Sequence, residues 1–397
     1  MSDPTIAILE VLAGRGRASR AELARATGLS SATVARTVER LRRDGVLREH
    51  PLEAAGVGRP PRVVEFDGAT ACVVGVDAGG RTLRATLADL SGTIRARIAR
   101  PVRAPVDASA LVDDLADLVV DLTGRTRPGA VRAVAAGISG IVDHREGRVL
   151  LSPDLPGLDG LDLAYALEDR LELPVAIDND DLLAAIGEAS VGAAIGRRDV
   201  VFLSLGFGLG AGIIVDGRPV RGIAHAAGAI AYLAPGRLED RASGRAIPLR
   251  YREAVERAAG GAPRTGRDGD HGPAPAVHDA RVVFERADVG DPVAARVLAD
   301  VLADLGDLVV DVGALLDPEV IVIGGGLADA GAAVLGPLER RIRSALPYPP
   351  MIVASALEDA AVLHGAVWMA IALARRRIAG LDLATRPTPE LATLALF

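Results

Sequence analysis

The chain has no lysine; all 45 basic residues are arginine, a composition that points to a GC-rich genome rather than to a mechanism. It has one cysteine, Cys72, so disulfides within the chain are excluded and a reducing cytoplasm is the expected home. Cys72 lies in an apolar run and is expected to be a buried core thiol. Aromatic residues make up only 3% while hydrophobic residues make up 50%, so Ala, Val and Leu must fill the core. The longest apolar stretch, Ala360 to Ala374, is too short to span a bilayer and carries His364. No signal peptide opens the chain, so no membrane partner is expected.

With 397 residues, two or three domains are expected. Charge divides them. Residues 1–66 hold 11 Arg and 8 acidic residues, net +3, whereas the remainder is net −10. That polarity suits one DNA-facing end on an acidic molecule. Within the basic end, Ile8, Val11 and Leu12 form a stripe at helical spacing, and Gly14 and Gly16 end the helix. Ser19 with Glu22 three residues on reads as a capping box for a second helix. Gly28-Leu29 makes a turn that needs positive φ. Ser30 or Ser31 then caps a third helix running to about Arg43, with Val34, Val38 and Leu41 on its buried face. Ser31, Thr33, Arg36, Thr37 and Arg40 are assigned to the outer face, where small polar groups and guanidiniums reach base edges and phosphates. Val46 to Arg48 and Arg62 to Phe66 read as the strands of a wing, with Arg59 at its Gly-Arg-Pro tip aimed at a minor groove. Residues 1–67 are therefore expected to form a winged helix-turn-helix that binds operator DNA.

From residue 68 onward a duplication shows. Strand-like Cys72 to Val76 leads into Asp77-Ala78-Gly79-Gly80, and Val200 to Leu205 leads into Gly206-Phe207-Gly208-Leu209-Gly210. Each half opens as strand, glycine-rich turn, strand, turn, strand, and then alternates helices with strands. Two such α/β halves imply a cleft between them with the glycine turns facing it. Backbone N–H groups of Gly79, Gly80, Gly206, Gly208, Gly210 and Gly325 could cradle phosphate oxygens, and Asp77 could hold a metal-bound water. A plain hairpin turn explains each glycine run equally well. Asn179 and Asp180 precede a helical run, so helix capping is one role for them. Gly260 to Ala276, rich in Gly, Pro and charge, reads as an exposed loop.

These segments together resemble the ROK family (repressors, open reading frames and sugar kinases), in its regulator branch. The resemblance rests on the helix-turn-helix with Gly58-Arg59-Pro60, on Asp77 to Gly80, on Gly137 to Asp143 including Gly140, and on Asp178-Asn179-Asp180. It continues through Leu205 to Gly212, Asp317-Pro318-Glu319 and Gly324 to Gly326. It implies a two-lobed, actin-like and hexokinase-like body over 68–397. The first lobe would span about 68–178 plus a C-terminal helix, and the second about 179–358. It also implies a homodimer or homotetramer and a sugar or sugar-phosphate effector in the cleft. By the resemblance, Asp180 occupies the position of the kinase base, and Asn179, Asp180, Gly140 and Glu239 would hold the ligand.

The departures favour a regulator. The family's Gly-Glu-Ile-Gly-His segment reads Gly228-Ala229-Ile230-Ala231-Tyr232 here, so two sugar-gripping groups are replaced. The family's cysteine-rich zinc loop is missing, and no His-x-x-His spacing occurs among the 6 histidines, so neither a metal nor another cofactor is expected. Arg81 stands where the kinases carry Thr, and His225 near the cleft could replace the lost His. The reading is a DNA-binding transcription regulator, a repressor, that is not an enzyme; the alternative is an ATP-dependent sugar kinase with an accessory DNA-binding domain.

Overall fold

A short capped helix and a glycine corner set up the N-terminal domain. In the computed structural model, which describes residues 4–51, 62–68, 71–103, 107–127, 129–233, 237–258 and 279–378, the chain begins with α1 (Pro4–Arg15), β1 (Arg17–Ala18), α2 (Arg20–Thr27) and α3 (Ser31–Arg43). The wing strands β2 (Leu47–Pro51) and β3 (Arg62–Phe66) follow. The capping box at α2 forms in full: the Glu22 amide donates to Ser19 Oγ at 3.2 Å, and the Ser19 amide donates to Glu22 Oε2 at 2.7 Å. Gly28 then turns the chain at φ +70°, and Ser30 caps α3 by accepting from the Thr33 amide. The sheet has the order β1-β3-β2, so the wing gains a third, very short strand that periodicity does not reveal. Arg59, the rest of the wing tip, Pro235 and the Gly260–Ala276 segment lie outside the described residues.

The body repeats one plan twice. Its first half contains β4 (Cys72–Ala78), β5 (Thr82–Asp89), β6 (Ile94–Pro101), α4 (Ala108–Thr123), β7 (Val131–Ile138), β8 (Ile141–Asp143), β9 (Arg148–Leu151), α5 (Leu163–Leu171) and β10 (Val175–Asn179). The second contains α6 (Asp180–Val191), β11 (Val200–Leu205), β12 (Leu209–Val215), β13 (Arg218–Pro219), α7 (Glu239–Ala242), α8 (Ala246–Ala258), α9 (Ala280–Asp288), α10 (Pro292–Leu316), β14 (Val320–Gly324), α11 (Ala332–Ala345) and β15 (Met351–Ala354). The chain's last described helix is α12 (Ala361–Ile378). The sheets are ordered β10-β7-β4-β5-β6 and β13-β12-β11-β14-β15. In each, an antiparallel meander is extended on one side by two parallel strands, so β4, β5, β6, β7 and β10 correspond to β11, β12, β13, β14 and β15. This is the two-lobed, actin-like α/β body expected, and the N-terminal domain is the expected winged helix-turn-helix. Cys72, at the start of β4, is half-buried rather than enclosed, because it stands at the strand's end.

Helices α6 and α12 join the lobes. Helix α12 lies on β4 and β7 of the first sheet, α6 lies on β11 and β12 of the second, and the two helices pack on each other. Three glycines allow this. A β-carbon at Gly75 would stand 2.8 Å from the Val367 amide nitrogen, one at Gly187 would overlap the Ala361 carbonyl, and one at Gly365 would overlap the Leu183 carbonyl. The backbones therefore touch where side chains would ordinarily keep helices 8–10 Å apart. Helix α12 has a third partner. Ile8, Leu9 and Leu12 of α1 belong to the same buried cluster as Trp368 and Ile371, and α1 contacts α12 directly. Arg375, buried near the end of α12, donates to the Leu90 carbonyl and sits 5.8 Å from the centre of the Phe66 ring at the end of the wing.

Candidate functional site

The cleft of about 1340 Å³ opens where the parallel strands of both lobes end, the place where open α/β sheets receive ligands. The first lobe contributes the turn Gly79–Arg81 and the segment Ser139–Gly140 after β7, and Asn179–Asp181 stand between the lobes where β10 becomes α6. The second contributes Gly206–Gly208, Gly324–Gly326, Ala229 and Glu239. The candidate ligand and glycine-turn residues are thus brought to one cavity.

Asn179 is the hinge of the first wall. Its Oδ1 accepts from the Leu182 amide at 2.9 Å, capping α6, while its Nδ2 donates to the Gly140 carbonyl at 2.9 Å and to Asp180 Oδ1 at 3.0 Å. Capping and positioning of Asp180 therefore coexist. Burial, reinforced by neighbouring Asp181 and Asp77, holds the Asp180 carboxyl well above the usual carboxylate range. Burial likewise pushes Asp181 up to about 6, against a hydrogen bond from Ser204 that favours its ionised form. No periodicity marks Asp181 in the sequence, and only the fold shows that it faces β12.

The glycines divide by role. Gly210 does not belong to the turn: it is paired with Ser204 inside β12, and a β-carbon there would overlap the Asp181 carboxylate. Gly212 does the same for the Asp181 backbone. Both let α6 press on the sheet. Gly206 donates its own amide to the Gly208 carbonyl at 3.0 Å, so that donor is used inside the hairpin. Gly325, at φ +81°, abuts the Leu205 carbonyl carbon, stacking one glycine segment on the other. Gly80 lies close against Asp154, and Gly208 against the Glu239 carboxylate.

Two expectations are corrected here. Asp77 does not stand ready for a metal-bound water: Arg84 holds its carboxylate at 2.6 Å and also reaches Asp359 at 2.8 Å, so the counter-charge is a guanidinium. Thr37 does not project toward DNA. At 8% exposure it is buried with Val34, Val38 and Leu41, while Ser31, Arg36 and Arg40 are exposed and Thr33 partly so. Arg40 is also hydrogen-bonded to Thr5 of α1.

At the rim, Arg81 of the first lobe lies over the Phe207 ring of the second at 5.0 Å, and Arg245 lies 5.6 Å from the same ring. Glu239 is drawn to Arg237 and Arg245 at 3.6 and 3.5 Å. Tyr232 is half exposed under Arg237. Beneath them Arg221, from the loop after β13, makes a buried ion pair with Asp178 of β10 at 2.6 Å, tying lobe to lobe. The same loop carries His225, at φ +57°, to within 3.6 Å of the Asp143 carboxylate and against the edge of the His144 ring. Burial, with Arg221 nearby, pushes His144 down to about 4, so its ring is neutral at neutral pH.

Comparison with known proteins follows this division. The sequence profile of the ROK family matches residues 73–373, and that of a winged helix-turn-helix DNA-binding domain matches residues 1–48. A xylose repressor of Caldicellulosiruptor bescii is 26% identical over 371 residues, covering 89% of this chain and 91% of that protein. A glucokinase of Streptomyces coelicolor is 30% identical over 75% of this chain and 96% of its own. Among solved structures, a ROK transcriptional regulator described as a homologue of the E. coli MLC protein superposes over 98% of both chains with a TM-score of 0.73 at 23% identity. The ROK glucokinase of Streptomyces griseus, crystallised with glucose and AMPPNP, covers 76% of this chain and 99% of its own, with a TM-score of 0.62 at 29% identity.

Proposed function

The chain belongs to the ROK family, and from that premise we propose a transcriptional repressor whose two-lobed body senses a small polyhydroxylated ligand, a sugar or sugar phosphate. The observation that carries the reading is the shared core of α1 and α12. A DNA-reading domain packed on the helix that also touches both lobes gains or loses its docking surface as the cleft closes. Ser31, Thr33, Arg36 and Arg40 face the operator, and two copies on a twofold axis read a near-palindromic site. In the cleft, Asn179, Asp180, the Gly140 carbonyl and Glu239 offer partners for hydroxyls. Burial raises the Asp180 carboxyl, which favours its protonated, hydrogen-donating form.

Fragments bound by the full chain are to be selected from genomic DNA and the recovered operator used for binding curves. Arg36→Ala is expected to lose about 1–3 kcal/mol at one base pair and to relax specificity there. Unchanged affinity and specificity in both Arg36→Ala and Arg40→Ala would overturn the assignment of this face.

The glucokinase relatives keep a second reading in view. Against phosphoryl transfer stand Ala229 and Tyr232 in place of two ligand-holding groups, and Arg81 folded over Phe207 at the first glycine turn. Transfer needs the sugar hydroxyl held in line with the γ-phosphate and the phosphate charge neutralised. We expect no sugar-dependent ATP turnover across a broad sugar panel. Turnover abolished by Asp180→Asn would make the protein an enzyme.

A further inference from the structure

The β8–β9 hairpin and the loop after β13 come from different lobes and meet beside the cleft. Asp143 ends β8 and His144 follows it in the turn, while His225 arrives from a loop anchored to the second sheet, where Ala211 donates to the Gly228 carbonyl and Val220 to the Ile213 carbonyl. One ligating atom from each of Asp143, His144 and His225 lies within 4.8 Å of the others. The imidazole centroids are 5.6 Å apart, edge to face. Two ring nitrogens, His144 Nδ1 and His225 Nδ1, are buried without a hydrogen-bond partner among the described residues. An unsatisfied buried polar atom costs about 1–3 kcal/mol; His225 turns its other nitrogen, Nε2, to Asp143 at 3.6 Å, so the demand that a cation would meet is that of His144 Nδ1.

We propose that Asp143, His144 and His225 bind one zinc-class divalent cation that staples the two lobes together at the side of the cleft. Two imidazoles and one carboxylate suit zinc or a neighbouring late transition metal and not magnesium or calcium, which favour all-oxygen shells. Tetrahedral coordination at about 2.0–2.1 Å places ligand atoms about 3.4 Å apart. His225 Nε2 and Asp143 Oδ2 already stand at 3.6 Å, so modest side-chain rotations complete the shell. The positive neighbour Arg221 is offset by its ion pair with Asp178, and Arg145 is exposed. His225 also lines the cleft. The site shares no residue with the cysteine loop whose loss argued against zinc, and spacing along the chain cannot reveal it because its ligands come from different lobes.

The test uses full-length protein purified without an affinity tag, stripped with a chelator, then titrated with Zn²⁺ and, separately, Co²⁺. One metal per chain is expected, with Co²⁺ absorption of four- or five-coordinate intensity and no thiolate band, and a rise in unfolding temperature with Zn²⁺. Asp143→Asn keeps the oxygen that accepts from the Arg145 and Glu146 amides, and His225→Asn tolerates the left-handed backbone. Each, like His144→Gln, is expected to weaken binding at least about tenfold, the lower end of what even outer-shell substitutions cost, while His50→Gln leaves it unchanged. Weak six-coordinate Co²⁺ bands in the unsubstituted protein overturn the proposal without reference to any variant. So does stoichiometric binding that survives all three substitutions. Because metal binding is read on the protein alone, its failure leaves the operator reading standing.

Discussion

Gly365→Ala is expected to lower stability by at least about 2 kcal/mol, the middle of the range for forcing atoms into a packed core. The sign is the informative part. In an exposed helix interior the same substitution would stabilise by about 1 kcal/mol, because alanine orders more cheaply than glycine. At this position a β-carbon would overlap the Leu183 carbonyl, and the obstacle is backbone on both sides. No rotamer change relieves it, so α6 and α12 must separate. Separation also disturbs the contacts of α12 with β4 and α1. Urea unfolding of variant and parent gives the difference in midpoint; a midpoint equal to or above the parent's would show that the crossing is looser than the contacts imply.

The second large effect is electrostatic. Asp181→Asn is expected to stabilise the free protein at pH 7.5 by up to about 3 kcal/mol, the equivalent of raising a carboxyl from 3.8 to about 6. The sign follows from proton counts. Between those two values the folded state holds a proton on Asp181 that the unfolded chain has released. Stability contributed by this group is therefore present below about pH 4 and is lost as pH rises through about 6. Asp180, raised by burial and by Asp181 itself, acts in the same direction. Asparagine keeps the shape and a hydrogen bond to Ser204 without the buried charge. The gain should grow with pH from nearly nothing near pH 4 to its full value above pH 6. Unfolding curves at several pH values check it, and a gain that is flat with pH, or a loss at pH 7.5, would remove charge burial as the cause.

Much of the architecture was legible because it is written in local chemistry. Ser19 with Glu22, Gly28 and the spacing of Val34, Val38 and Leu41 specify their caps, corner and buried face within a few residues of themselves. Strand runs such as Val200 to Leu205 are apolar on both faces because each sheet is covered on both sides. Thr37 belongs inside by position: with Val34, Val38 and Leu41 it completes the i, i+3, i+4, i+7 pattern of a wide buried stripe. Its polar chemistry suggests the outer face, and position outweighs chemistry.

The site was less legible, for a different reason. Which partner a charged group takes depends on elements distant in sequence. Nothing near Asp77 announces that Arg84 and Asp359 will meet around it, and nothing in the run Arg218 to Ile223 marks Arg221 as the partner of Asp178. Gly210 looked like part of a phosphate turn because glycine runs are ambiguous between a turn and a close approach. The deciding neighbour, Asp181, lies on another element.

Helix α12 also sets an order of events during synthesis. It is the last described helix, yet α1, β4 and α6 all bury apolar surface against it. A ribosome adding about 5–20 residues per second makes the DNA-reading domain well before its docking helix. Until α12 is out of the exit tunnel, one face of the first sheet stands uncovered, and the wing end at Phe66 lacks Arg375. The newborn N-terminal domain is thus tethered to an unfinished body throughout translation, and nascent chains would meet DNA before they could answer to any ligand. Shortening the chain ahead of α12 would be expected to leave a DNA reader with no working connection to the cleft.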